Sequence, residues 1–386
     1  MPPAFETLLW HYQNRSAEAL AQHTAGVPVV GFTSNTVPWE PIRAAGCFPV
    51  LVAPGPDTLG NPTPFADPLM EPVFEGRIRA IFEAILSGAW HFLRLLIIPR
   101  TSEPEYKLYL YLREVERQKL SGAVPPLYLY DLLHTRSPIS RKYGLARTQD
   151  LIERLKQIGP VNGKSLSNAV TESNRARAAL RQLQNLRMGD APRISGTDAL
   201  AISGALYFTD RAIYAKCVDR ACREMKSSKP LRGPHLLIKG TPLYHPRFHQ
   251  ALEAHGAVVT AEDDWWGTRA AGANIRSARS MQALVGSVFE NYYLCAPSPR
   301  VAPAAAADLW FQRTVKRGID GVVFYLPPDD DVYGWDYPRQ RDFLRASGIP
   351  SLLIREDANR GLSAEMNGRL RAFIETAHRS RYGSRA

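Results

Sequence analysis

The sequence predicts an α/β protein made of two parallel-sheet domains joined by a helical segment. Three observations carry this. Residues 27–52 and 319–357 each read as strand, loop, helix and strand. Their apolar runs are short and continuous, the pattern of strands buried on both faces. Between these units, residues 147–229 show helical periodicity almost throughout, broken near 159–163 and 189–196. Two apolar strands joined by a helix usually lie parallel in one sheet. The expected domains are residues 1–146, a helical connection over 147–229, and a second α/β domain over 230–386 with a closing helix.

Residues 1–26 carry an apolar stripe of Leu8, Leu9, Tyr12, Ala19 and Leu20, which predicts helix. A strand is expected over 27–32, then a polar loop over 33–36. Pro38 suits a first helical turn, where a missing N–H costs nothing, and Glu40 suits the dipole there. Gly46 ends that helix, and 48–52 form the next strand. Residues 55–68 read as loop, 72–90 as helix, 95–98 as strand, and a helix begins near Glu105. Residues 126–132 look like a fourth strand. The second series runs strand 235–239, helix 246–255, strand 257–261, and the acidic, aromatic loop 262–269. Helices follow near 276–290 and 303–317. Strand 322–326, loop 327–337, helix 338–347 stopped by Gly348, strand 350–354 and a last helix over 364–378 complete the chain.

The chain has 386 residues, a net charge of +11 and 45% hydrophobic content, enough for two domains with their own cores. No run of eighteen apolar residues exists, so no membrane-spanning helix is expected. The N-terminus lacks the features of a signal peptide, and a soluble cytoplasmic protein is expected. The positive charge comes without a helix-turn-helix, zinc-finger or RNA-binding signature, so a solvated basic face is favoured over nucleic-acid binding. Four cysteines, Cys47, Cys217, Cys222 and Cys295, form no CxxC and read as buried structural thiols.

In parallel sheets, ligands bind beyond the carboxyl ends of the strands. That directs attention to residues 101–103, 263–269 and 329–331. Asp329, Asp330 and Asp331 offer hard oxygens for a divalent cation, but a solvated acidic turn is the favoured reading. Trp265 and Trp266 suit either stacking on a planar ligand or packing. Arg269 suits a phosphate or carboxylate, or an ordinary salt bridge. No GxSxG, GxGxxG or P-loop pattern occurs. Ser34 is the best single hydroxyl, sitting before a helix N-terminus that favours anions or a thioester oxygen; a capping role is the alternative.

Several segments, in order, resemble the 2-hydroxyacyl-CoA dehydratase and benzoyl-CoA reductase family, of 2-hydroxyglutaryl-CoA dehydratase D-component type. They are GFTSNTVPWEPIRAAGCFPV, IIPRTSEPEYKLYLYL, GKSLSNAVTESNRARAALRQLQNLR with Asn174, LLIKGTPL, HGAVVTAEDDWWGTR, GIDGVVFYL, GIPSLLIRED and RLRAFIE. The resemblance implies two flavodoxin-like domains and pairing with a paralogous family subunit. It also implies a [4Fe–4S] cluster held by three cysteines, and an ATP-dependent activator that supplies a low-potential electron for acyl-CoA reduction.

The chain departs from that pattern at the cluster positions. Ser102, followed by Glu103, stands at the first, Trp265 at the second, and Asp330 is nearest to the third, within about one residue. Fe–S clusters need thiolates, with occasional nitrogen replacements, so no cluster and no metal are expected in this chain. The leading expectation is a cluster-less partner or acyl-CoA-binding subunit. In it Thr33, Ser34, Asn35, Glu40, Trp266 and Arg269 line the acyl-CoA cleft, and Ser34 is the candidate catalytic group. An active dehydratase or reductase with unusual ligation, and a scaffold-only protein, are the alternatives. No nucleic-acid or membrane partner is expected.

Overall fold

The computed structural model describes residues 3–58, 60–71, 74–100, 102–133, 135, 137–294, 304–328, 330–356 and 361–383. Thr101, Cys295, Asp329 and Asp357, with the side chain of Asp331, lie outside the described part.

Two helices open the chain, α1 (Pro3–Gln13) and α2 (Ala17–Thr24). The apolar stripe is therefore split at residues 14–16. Leu8, Tyr12 and Ala19 are buried, whereas Leu20 is exposed, because α2 starts a new helical phase. The first lobe continues with β1 (Val29–Phe32), α3 (Trp39–Ala44), β2 (Phe48–Leu51) and α4 (Gly76–Leu86). It ends with β3 (Leu93–Pro99), α5 (Glu103–Gln118) and β4 (Leu127–Tyr130). Its four strands are all parallel in the order β2-β1-β3-β4.

Four helices follow: α6 (Pro138–Lys156), α7 (Gly163–Arg187), α8 (Gly196–Ala205) and α9 (Arg211–Met225). Local chemistry sets their starts. Ser137 and Asn162 cap α6 and α7, and in α7 the Ser165 hydroxyl in return accepts the Asn162 amide. Asp210 caps α9 and accepts the amides of Ala212 and Ile213. Helix α6 spans the expected boundary at 146, and the gap between α8 and α9 has no glycine to announce it.

The second lobe holds β5 (His235–Gly240), α10 (Arg247–Ala254), β6 (Val258–Asp263), a 3-10 turn (Thr268–Ala271), α11 (Met281–Leu294) and α12 (Ala304–Val315). It continues with β7 (Gly321–Tyr325), α13 (Asp331–Gly334), α14 (Tyr337–Ala346), β8 (Ser351–Ile354) and α15 (Ala364–Tyr382). Its strands are again all parallel, in the order β6-β5-β7-β8. Both halves thus repeat one flavodoxin-like winding. The clearest difference from expectation is β6, which extends through Glu262 and Asp263 rather than ending at Ala261.

Side-chain alternation divides the second lobe's core in two. Leu236, Ile238 and Val323 face α10 and α15, while Leu237, Val322 and Phe324 face α12 and α14. The first lobe differs. Its sheet residues share one core with Leu180 and Leu183 of α7, Val218 of α9, Phe289 of α11 and the two tryptophans of the 264–267 turn. The middle helices are thus part of that core rather than a spacer. No described helix is long and apolar enough to cross a membrane.

Candidate functional site

Every candidate segment lies at a strand's carboxyl end. Residues 33–35 follow β1, Ser102 follows β3, Thr241 follows β5, 264–267 follow β6 and Asp330 follows β7. Gly240 makes the turn after β5 possible. Its φ is +140°, and a Cβ there would lie 1.9 Å from the Tyr325 carbonyl oxygen.

The two lobes meet over a packed aromatic cluster. Trp266 is fully buried, with ring centroids 4.9 Å from Tyr244, 5.4 Å from Tyr207 and 5.9 Å from Phe208. Trp265, also buried, lies 5.5 Å from Tyr207 and 5.6 Å from Tyr244. The Tyr207 hydroxyl donates to the Trp265 carbonyl at 3.1 Å. Helix α8 comes so close that a Cβ on Gly204 would sit 2.5 Å from the Trp266 ring. Arg15 lies buried over this cluster, 5.1 Å from the Trp266 ring, and donates to the carbonyls of Tyr12, Pro54 and Tyr244. The packing alternative for the tryptophan pair is therefore the geometry adopted.

The three positions matched to cluster cysteines have local duties. The Ser102 Oγ caps α5 by accepting the Glu105 amide at 3.4 Å. Glu105 pairs with Arg77 at 3.5 Å, and Arg77 lies 5.5 Å over the Tyr244 ring, so this network runs on to Trp265. Asp330 is buried, caps α13 through the Tyr333 amide at 3.1 Å, and accepts the Thr241 hydroxyl. A hydroxyl used as a cap, an indole with a donor but no ligand lone pair, and a carboxylate used as a cap do not fit a [4Fe–4S] cluster. Among the described residues, no three His, Cys, Asp or Glu side chains gather in a metal-holding group. Cys47 and Cys222 are buried and Cys217 is half-buried; burial pushes the Cys47 and Cys222 thiols up to about 11.

The residues expected to line an acyl-CoA cleft are enclosed. Thr33, Ser34, Asn35, Glu40 and Trp266 are all buried. Ser34 accepts the Thr36 hydroxyl at 3.4 Å, and Arg77 donates to the Thr33 carbonyl at 3.2 Å. Glu40 receives Arg177 at 2.8 Å, Arg211 at 3.6 Å and the hydroxyls of Tyr292 (2.8 Å) and Ser173. Burial opposes its charge, but the two guanidiniums prevail and hold its carboxyl below the usual range. Arg269 pairs with Asp263 and stacks 4.3 Å over Trp310. Sequence reasoning missed Arg15, Arg77, Arg177, Arg211, Tyr207 and Tyr244, whose partners are far away in the chain.

The acidic residues expected to open the loop 262–269 belong instead to a buried layer of ion pairs. Lys239 pairs with Asp263 at 2.8 Å, and Arg187 with Glu262 at 2.8 Å. Asp264 is different. It is buried, and its Oδ1 accepts only amides, from Trp266 at 2.9 Å and Gly267 at 2.6 Å. Burial, then the neighbouring Glu262, pushes its carboxyl from 3.8 up to about 7. Between these values the folded protein binds the proton more tightly than the unfolded chain, so stability from this group falls as pH rises. Asp264→Asn is therefore expected to raise the melting temperature at pH 8, by less at pH 5, and not at all below about 3.8. Equal melting shifts at both pH values would refute this assignment.

The arrangement defines a class: a two-lobed protein whose like-wound parallel sheets meet at their strand ends across a polar and aromatic seam. The chain belongs to the 2-hydroxyglutaryl-CoA dehydratase D-component family, whose match covers residues 35–377. It is also 22% identical over 372 residues to the Escherichia coli (strain K12) protein named "Putative dehydratase subunit YjiM", covering 91% of each chain.

Proposed function

We propose that this chain is the cluster-less subunit of a two-subunit 2-hydroxyacyl-CoA dehydratase-type system, in which a paralogous chain carries the [4Fe–4S] centre. The observation that carries the reading is the use made of Ser102, Trp265 and Asp330. Two are helix caps and the third is packed among Tyr207, Tyr244 and Trp266. None of the three positions offers a thiolate, which supports a seam without a cluster. Membership of a family named for a dehydratase component, and a relative named as a subunit, support assembly with another chain. In this reading the activator acts through the paralogue, and acyl-CoA meets this chain only when the seam opens.

The test is anaerobic expression alone and with a cluster-bearing paralogue, followed by iron and acid-labile sulfide analysis. The chain alone is expected to be colourless and iron-free. In the co-expressed complex, iron should follow the paralogue at about four per partner chain. About four iron and four sulfide on the isolated chain would overturn the reading. Absence of any complex would leave the scaffold-only alternative.

A further inference from the structure

A small cavity of about 30 Å³ lies where β1, α3, α7 and α9 meet residues 270–272. That is room for one small ion or about two waters. Its polar wall includes Asn35, Ser173, Arg177, Arg211, Asn291 and Tyr292, and no carboxylate is among the lining residues. Both guanidiniums are more than nine-tenths buried, with Arg177 8% and Arg211 6% exposed.

Charge is uneven behind this wall. Glu40 is the carboxylate that meets both arginines, closely at Arg177 and loosely at Arg211. Glu172 and Asp210 lie further out, paired with Arg43 at 3.1 and 3.2 Å in a half-exposed group. One carboxylate between two buried guanidiniums leaves one positive charge in excess, which is costly in a low-dielectric setting. The hydrogen-bond account is also incomplete. Both amide atoms of Asn35 and the Nε of Arg211 are buried without a hydrogen-bond partner. Arg211 is held in place by stacking 4.2 Å over Trp39. Water could meet the open donors but would leave the charge uncompensated.

We propose that this cavity binds one small monovalent anion, of the size of chloride or formate. The proposal goes beyond the subunit reading and does not depend on it. The wall supplies cations and N–H donors, as an anion requires, and the volume excludes a phosphate ester or an acyl-CoA.

The experiment measures thermal unfolding of the full chain in sodium chloride, sodium formate and sodium gluconate at equal ionic strength. Chloride and formate are expected to raise the melting temperature by a saturable amount, on the order of 2 °C. Gluconate, too large for the cavity, should not. Asn35→Leu, which keeps the side-chain size and disturbs no ion pair, should abolish the anion-specific rise, as should Arg211→Gln if it folds. A wild-type rise equal in all three salts, or one retained by Asn35→Leu, overturns the proposal. If neither variant folds, chloride NMR on the wild type decides. Excess chloride line width displaced by formate and not by gluconate supports the site, and no excess line width rejects it.

Discussion

Replacing Trp266 by alanine is expected to destabilise the protein by about 3–5 kcal/mol, the cost of removing a fully buried tryptophan from a packed core. The ring has no exposed surface and touches side chains from four separate parts of the chain: Tyr12, Tyr207 with Phe208, Tyr244 and Trp265. Its loss also removes one of the three rings that face the buried Arg15 guanidinium, with Tyr12 and Phe208 the others. Urea unfolding of wild type and variant at pH 7 measures the effect. The void left behind should be apolar on most sides, so added indole should recover part of the loss in the variant and none in the wild type. A tryptophan kept for stacking on a ligand predicts the opposite pattern, a loss below about 1 kcal/mol with altered acyl-CoA binding. That outcome would reopen the seam as a binding cleft.

The two halves were legible because strand and helix signals are local. The apolar run 95–98 falls inside β3 and the run 322–326 overlaps β7 to within one residue, and the stops at Gly46 and Gly348 coincide with positive φ of 75° and 68°. What was not legible depended on partners far away in sequence. Glu262 and Asp263 looked like loop residues because charge is rare inside a buried strand. They lie in β6 because Arg187 reaches Glu262 from α7 and Lys239 reaches Asp263 from β5. Glu40 invited a helix-dipole account from its place in the first turn of α3. Its buried partners, Arg177 and Arg211, are more than 130 residues away and dominate its surroundings. The Trp265–Trp266 pair shows the same limit. Its chemistry suits stacking or packing equally, and only Tyr207 and Tyr244, brought in from α8's end and the β5 loop, decide between them.

The buried triad of Arg187, Glu262 and His249 carries the other large expected effect. Arg187 donates to Glu262 at 2.8 Å and to the Val259 carbonyl at 3.2 Å, and the His249 Nε2 lies 3.0 Å from Glu262. All three side chains are buried, and the pair ties the last turn of α7 to β6. Glu262→Gln leaves Arg187 charged and uncompensated in that setting, so a loss of about 3–5 kcal/mol is expected at pH 7. Burial opposes the Glu262 charge, but Arg187 and the hydrogen bond from His249 override it and hold the carboxyl at about 2, against an ordinary 4.5. A folded value below the unfolded one means that this stabilisation is complete above about 4.5 and is lost as pH falls toward about 2. Urea unfolding at a series of pH values should therefore show the gap between wild type and Glu262→Gln closing below pH 5. A constant gap down to pH 3 would assign the loss to packing instead. The double variant Arg187→Met with Glu262→Leu should recover much of the loss, because removing both charges also removes both desolvation penalties. If it is no better than Glu262→Gln, the geometry around α7 and β6, rather than the unpaired charge, is what the single substitution breaks.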